Sequence, residues 1–251
     1  MGERASHAPG TFSWVDLATS DAAGAKVFYG GLLGWEFEDM PVPDSPPYSM
    51  ATLGGRRVAA LYPKRDESQP SAWLSYVTVE DADATAARAI ELGANAISEP
   101  FEVLEAGRMA VLQDPAGAVF AIWQPRASIG AELVNDAGSL TMNQLNTPDT
   151  DAAQAFYGGL FGWTFQQVAT GEQAFWGIHN GGRLNGGMMP AEPPHWLAYF
   201  TVADIDASAA KAGELGGRVF LGPVPIPAGR ILVAADPQGA AFALFEGDVD
   251  D

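Results

Sequence analysis

Trp14 and Asp16 stand two residues apart in Phe12–Leu17, which reads as a β-strand, so both side chains point to one face of it. A carboxylate beside an indole on an inward face loses hydration, and its pKa rises toward that of a general base working near neutrality. The competing reading is a structural carboxylate held by an arginine or a backbone amide. Arg108 and Arg230 each follow Ala-Gly at the start of a predicted strand. A guanidinium there suits an anionic or carbonyl group, and equally a structural ion pair. His179 lies in a further predicted strand, where an imidazole can shuttle protons or simply pack. Asp16, His179 and Arg108 are therefore the candidate catalytic groups. Trp14, Tyr48, Trp73, Trp123, Gln144, Trp196 and Arg230 are the candidate substrate-binding groups. Rings at such positions favour a flat, partly apolar ligand, although strand aromatics also build cores.

The elements that carry these residues occur twice. FYGGLLGW at Phe28–Trp35 returns as FYGGLFGW at Phe156–Trp163, and Asp114-Pro115-Ala116-Gly117 returns as Asp236-Pro237-Gln238-Gly239. In this alignment Asp16 meets Gln144, Trp14 meets Met142, Arg56 meets Arg183 and Arg108 meets Arg230. Residues 10–125 form a first copy, 126–137 a linker and 138–247 a second copy. Each copy splits again. Phe12–Leu17 is followed by a helix from Asp21 to Leu33, with Ser20 or Asp21 near its N-cap, and by a hairpin turning at Gly54-Gly55. From Leu74 the pattern restarts, with Asp81 as N-cap of a helix from Ala82 to Leu92 and Gly93 as its stop. The expected fold is α+β: a tandem duplication of four βαβββ modules forming two cupped, mostly antiparallel sheets, with a cavity in each pair.

The 251 residues carry 31 acidic and 13 basic side chains, a net charge of −18 that repels phosphate backbones and anionic membranes. No apolar run approaches the ~18 residues of a membrane span. Met1–Gly10 has no apolar leader core, and the chain contains no cysteine, so disulfides and thiolate chemistry are ruled out and a cytoplasmic protein is expected. The expected partner is a small molecule, with no nucleic acid and no membrane, for a monomer or homodimer. No nucleophile elbow, Walker loop or dinucleotide fingerprint is present.

FYGGLLGW after a strand ending WVDLATSD, then SYVTVEDADA, then QDPAGAVFAIW, resembles the vicinal-oxygen-chelate superfamily of glyoxalases, bleomycin-resistance proteins and extradiol dioxygenases. The resemblance covers both copies. It is closest to a two-copy branch that includes a mycobacterial glyoxalase-like antigen and streptomycete proteins labelled hydroxylases. Metal-dependent members carry His, Gln or Glu at three strand positions. Here the resemblance places those positions on Trp14, Leu74 and Ala121 in the first copy, and on Met142, Leu197 and Ala243 in the second. None offers an oxygen or nitrogen ligand, so neither a metal nor another cofactor is expected. The resemblance implies a glyoxalase-like lyase or isomerase acting on a small carbonyl-containing or aromatic metabolite. The alternative is a metal-free binding protein of the bleomycin-resistance type.

Overall fold

The computed structural model describes residues 2–43, 45–171 and 174–248. The first copy runs β1 (Phe12–Thr19), α1 (Ala22–Leu33), β2 (Glu36–Val42), β3 (Ser45–Leu53), β4 (Arg56–Pro63), β5 (Ala72–Thr78), α2 (Ala82–Glu91), β6 (Asn95–Val103), β7 (Gly107–Gln113) and β8 (Val119–Pro125). The second repeats it as β9 (Leu140–Thr147), α3 (Thr150–Phe161), β10 (Thr164–Ala169), β11 (Phe175–Asn180), β12 (Arg183–Pro190), β13 (His195–Thr201), α4 (Ile205–Glu214), β14 (Arg218–Ile226), β15 (Gly229–Ala235) and β16 (Ala241–Gly247). Asp21 and Asp81 cap α1 and α2 by accepting the N–H groups of Gly24 and Ala84. Gly54 and Gly55 both take positive φ in the β3–β4 turn, as a two-residue hairpin requires. The expectations omit β2 and β6. Both are outer strands whose charged, exposed residues give no apolar alternation to read.

Each copy forms one eight-stranded sheet, β2-β3-β4-β1-β5-β8-β7-β6 and its counterpart β10-β11-β12-β9-β13-β16-β15-β14. The two modules of a copy join edge to edge through antiparallel β1–β5 or β9–β13. Alternation sends even-numbered residues of β1 and β5, such as Trp14, Asp16, Leu74 and Tyr76, to the concave face. The odd-numbered neighbours point to the back, where the helices and the other sheet lie. Ser75 from the back of β5 donates to Asn143 Oδ1 from the back of β9 at 2.6 Å. The sheets therefore stand back to back, and their cups open in opposite directions. No helix among the described residues is long and apolar enough to cross a membrane.

Both repeated motifs belong to this central layer. Tyr29 of the first FYGG block donates to Asp236 Oδ2 at 3.1 Å, and Tyr157 of the second donates to Asp114 Oδ2 at 2.9 Å. Each Asp-Pro-x-Gly aspartate thus ties its own turn, through backbone N–H groups on Oδ1, to a helix of the other copy. A side chain on Gly31 would press on Leu215, and one on Gly159 on Leu92, so glycine lets α1 approach the end of α4 and α3 the end of α2. The duplicated block is an inter-copy packing device.

Candidate functional site

The first cup is built around Asp16, which is 3% exposed. Antiparallel register sets Asp16 opposite Leu74 and Trp14 opposite Tyr76, while parallel pairing brings Ala60 of β4 beside Asp16 and Ala121 of β8 beside Tyr76. The small side chains of Ala60 and Ala121 leave room for the rings around them. Tyr76 donates to Asp16 Oδ2 at 2.8 Å and Tyr48 donates to the same oxygen at 3.1 Å. Trp14 Nε1 in turn donates to the Tyr48 hydroxyl at 3.1 Å, which completes a directed chain from indole to carboxylate. Trp123 shares the same buried cluster and is anchored by its Nε1 to the carbonyl of Ser128. Ala131, from the segment joining the copies, closes part of the cup wall, its N–H bonded to the Ser13 carbonyl.

Asp16 Oδ1 is buried with no partner among the described residues. Burial pushes the Asp16 pKa up to about 7, and the two tyrosine hydrogen bonds only partly offset it. A carboxylate with one oxygen oriented and the other unengaged is arranged as a proton acceptor. Tyr76→Phe removes the shorter of the two stabilising bonds. The Asp16 pKa should then rise further, by about one unit, and the acid limb of a pH–rate profile should move up by that amount. Tyr62 stacks on Tyr48 with ring centroids 5.9 Å apart. The nearby Asp16 charge, more than burial, pushes its phenol pKa upward. Sequence reasoning missed Tyr62. Its available signal was strand alternation from Ala60, but only the β1–β4 pairing brings that strand beside Asp16.

The second cup has lost this arrangement. Gln144, in the place of Asp16, accepts from Tyr199 at 2.7 Å and donates through Nε2 to Asn146 Oδ1 at 2.9 Å. Asn146 Nδ2 lies 3.1 Å from His195 Nε2, and His195 Nδ1 lies 2.7 Å from the Pro193 carbonyl. The ladder engages both ring nitrogens of His195. Every link is satisfied within the protein, and Gln144 cannot take up a proton. Leu197, Phe245 and Ala243 fill the rest.

Several expected site residues stand elsewhere. Trp73 and Trp196 project to the back of their sheets, where their Nε1 groups donate to Tyr29 and Tyr157, so they pack the inter-copy core and do not reach a cup. Arg108 turns away from the cup and clamps Asp83 in the first turn of α2 through Nε and Nη2, both at 2.7 Å. Arg230 repeats that clamp on Asp206 of α4. Both arginines fasten helices to strands at the surface. His179 belongs to β11 of the second sheet, so it cannot share a site with Asp16.

The residues at the family's metal positions do not fit a divalent ion. Register sets Trp14, Tyr76 and Ala121 side by side, and Met142, Tyr199 and Ala243 likewise. Leu74 and Leu197 supply no donor, and the Tyr76 and Tyr199 hydroxyls beside them are bonded to Asp16 and Gln144. Asp16 is one carboxylate where such a site needs several imidazole or carboxylate ligands. Among the described residues no cluster of three or more His, Cys, Asp or Glu is placed to hold a metal.

A glyoxalase-like domain model matches residues 14–123 and again 140–245. The chain belongs to the glyoxalase-like domain family. Within it, the chain is 41% identical to a protein named putative glyoxylase CFP32 of Mycobacterium tuberculosis, over 98% of both chains. It is 35% identical to the anthracycline biosynthesis protein DnrV of Streptomyces peucetius, over 95% of this chain and 94% of that one. Among solved structures it resembles a Mn(II)-bound glyoxalase from Novosphingobium aromaticivorans, with a TM-score of 0.69 at 15% identity over 97% of this chain and 84% of that one. The 2,3-dioxygenase LapB from Pseudomonas sp. KL28 gives a TM-score of 0.68 at 13% identity, over 97% and 95% of the two chains. At these identities the solved structures establish the shared vicinal-oxygen-chelate fold, a scaffold that hosts several chemistries.

Proposed function

We propose that the first cup is the working site of a glyoxalase-like enzyme acting on a small carbonyl-containing or aromatic metabolite, with Asp16 as its acid/base and no metal. The observation that carries this reading is the free Oδ1 of a buried carboxylate whose pKa lies at about 7. In such a reaction Oδ1 takes the proton from the carbon next to a carbonyl, and the C–H electron pair moves toward the carbonyl oxygen. Asp16, now a neutral acid, returns the proton to that oxygen, so that the net change is a keto–enol isomerisation. The Tyr62 hydroxyl, which bonds no protein group among the described residues, is available to donate to the substrate oxygen. Trp14, Tyr48, Tyr76 and Trp123 supply flat apolar walls.

A binding protein without turnover is the second reading, favoured by how few ionisable groups stand among the aromatic walls of that cup. The two separate cleanly. Incubation with a panel of aldehydes and planar aromatic ketones, followed by mass spectrometry, should show product with the enzyme. Saturable tryptophan quenching with unchanged ligand supports the binder. Chelation with EDTA should leave turnover and melting temperature unchanged. Stoichiometric metal in the purified protein, together with loss of activity on chelation, would overturn the metal-free mechanism.

A further inference from the structure

A cavity of about 650 Å³ lies outside both cups. It lies where the N-terminal segment crosses the second copy, between residues 4–12, the start of β9 and the β11–β12 hairpin. That volume falls within the range of small-molecule sites. Its outer wall is built in. Asn180 Nδ2 donates to the Pro9 carbonyl at 2.9 Å and Asn185 Nδ2 to the Gly10 carbonyl at 3.0 Å, and His7 is anchored through Nε2 to the Ala131 carbonyl at 2.7 Å.

The lining reverses the charge of the protein. Acidic residues outnumber basic ones 31 to 13 in the chain, yet Arg4 and Arg183 line this cavity and no Asp or Glu does. The copies make the asymmetry sharper. Arg56, the counterpart of Arg183, is paired with Glu3 at 3.1 Å, whereas neither Arg183 nor Arg4 forms an ion pair among the described residues. At the cavity floor Asn143 replaces Val15 of the first copy and is fully buried. Its Oδ1 accepts from Ser75, but its Nδ2 has no partner among the described residues. A buried donor left unpaired is costly and calls for an acceptor.

We propose that this groove is a second ligand site, separate from the Asp16 cup, for a small organic anion. A carboxylate or phosphate group is taken by Arg4 and Arg183, an acceptor atom reaches Asn143 Nδ2, and an apolar body lies against Phe12, Leu140 and Leu184. The proposal does not depend on what the first cup catalyses.

Titrating the full chain with benzoate, phenyl phosphate and benzylamine, followed by backbone amide NMR, tests it. Both anions should bind and shift the amides of Asn143 and Leu184, the tighter one identifying the preferred acid group, while benzylamine should not bind there. The double variant Arg4→Gln/Arg183→Gln should weaken anion binding about tenfold or more without lowering the melting temperature, since neither arginine is in an ion pair. Asn143→Val, which restores the residue of the first copy, should keep the fold and weaken binding several-fold. Equal binding of benzylamine, shifts confined to residues around Asp16, no binding at millimolar anion, or unchanged affinity in the double variant would each overturn the proposal.

Discussion

Asp16→Asn should abolish most turnover while making the protein more stable above neutral pH. An amide keeps an oxygen for the Tyr48 and Tyr76 hydroxyls but cannot take up a proton, so loss of the general base should cost about 10²–10⁴ in rate. The stability gain follows from the titration of the wild-type group. Its folded-state pKa, about 7, lies above the ordinary value of 3.8 because burial disfavours the charge. Between those values the native state holds a proton that the unfolded state has released. Its contribution is therefore complete below about pH 4 and is lost as pH rises through about 7. The shift corresponds to on the order of 4 kcal/mol of stability surrendered by ionisation across that window. At pH 8 the Asn variant should melt higher than wild type, and near pH 4 the two should converge. Wild-type kcat/KM should rise with pH through about 7, with that limb absent from any residual activity of the variant. Retained activity in Asp16→Asn would remove Asp16 from the chemistry. A lower melting temperature at pH 8 would show instead that the carboxylate is structural. Alanine is the wrong test, because it strands two buried hydroxyls and confounds the two readings.

Tyr157→Phe, and independently Tyr29→Phe, should destabilise the fold by about 2–4 kcal/mol each, although neither residue touches a cup. Each hydroxyl sits in a chain. Trp196 Nε1 donates to Tyr157 at 3.0 Å and Tyr157 donates to Asp114, while Trp73 Nε1 donates to Tyr29 at 3.1 Å and Tyr29 donates to Asp236. Removing one oxygen leaves an indole N–H and a carboxylate oxygen unpaired in the buried layer between the sheets. Burial and the Asp236 charge push the Tyr29 pKa far upward, so this hydroxyl stays protonated and donates at any working pH. Urea unfolding followed by tryptophan fluorescence should show the midpoint falling in each variant. Because the sites lie in reciprocal but separate clusters, the losses should add in the double variant. A loss below about 0.5 kcal/mol in either single variant would mean that the chain contributes no net stability.

The sequence alone settled the duplication and the family, and it put residues without oxygen or nitrogen donors where the resemblance places the metal ligands. Those properties are local: repeated blocks, turn residues, caps and residue identities at fixed offsets survive without knowing which strands meet. It also singled out Trp14 and Asp16 as sharing a face, because alternation in one strand needs no partner. Which face of each sheet becomes a cup was not legible. Trp73 and Tyr76 are both aromatic, three residues apart in one strand, and only the back-to-back packing sends the first to the core and the second to Asp16. Arg108 and His179 were placed by residue type, and their positions depend on long-range pairing that brings Asp83 to one and the second sheet to the other. Tertiary structure likewise decided that Gln144 is locked in a satisfied ladder while Asp16 keeps a free oxygen. Hydrogen-bond completeness belongs to neighbours far apart in sequence, whereas the chemical type of a side chain is written in the chain itself.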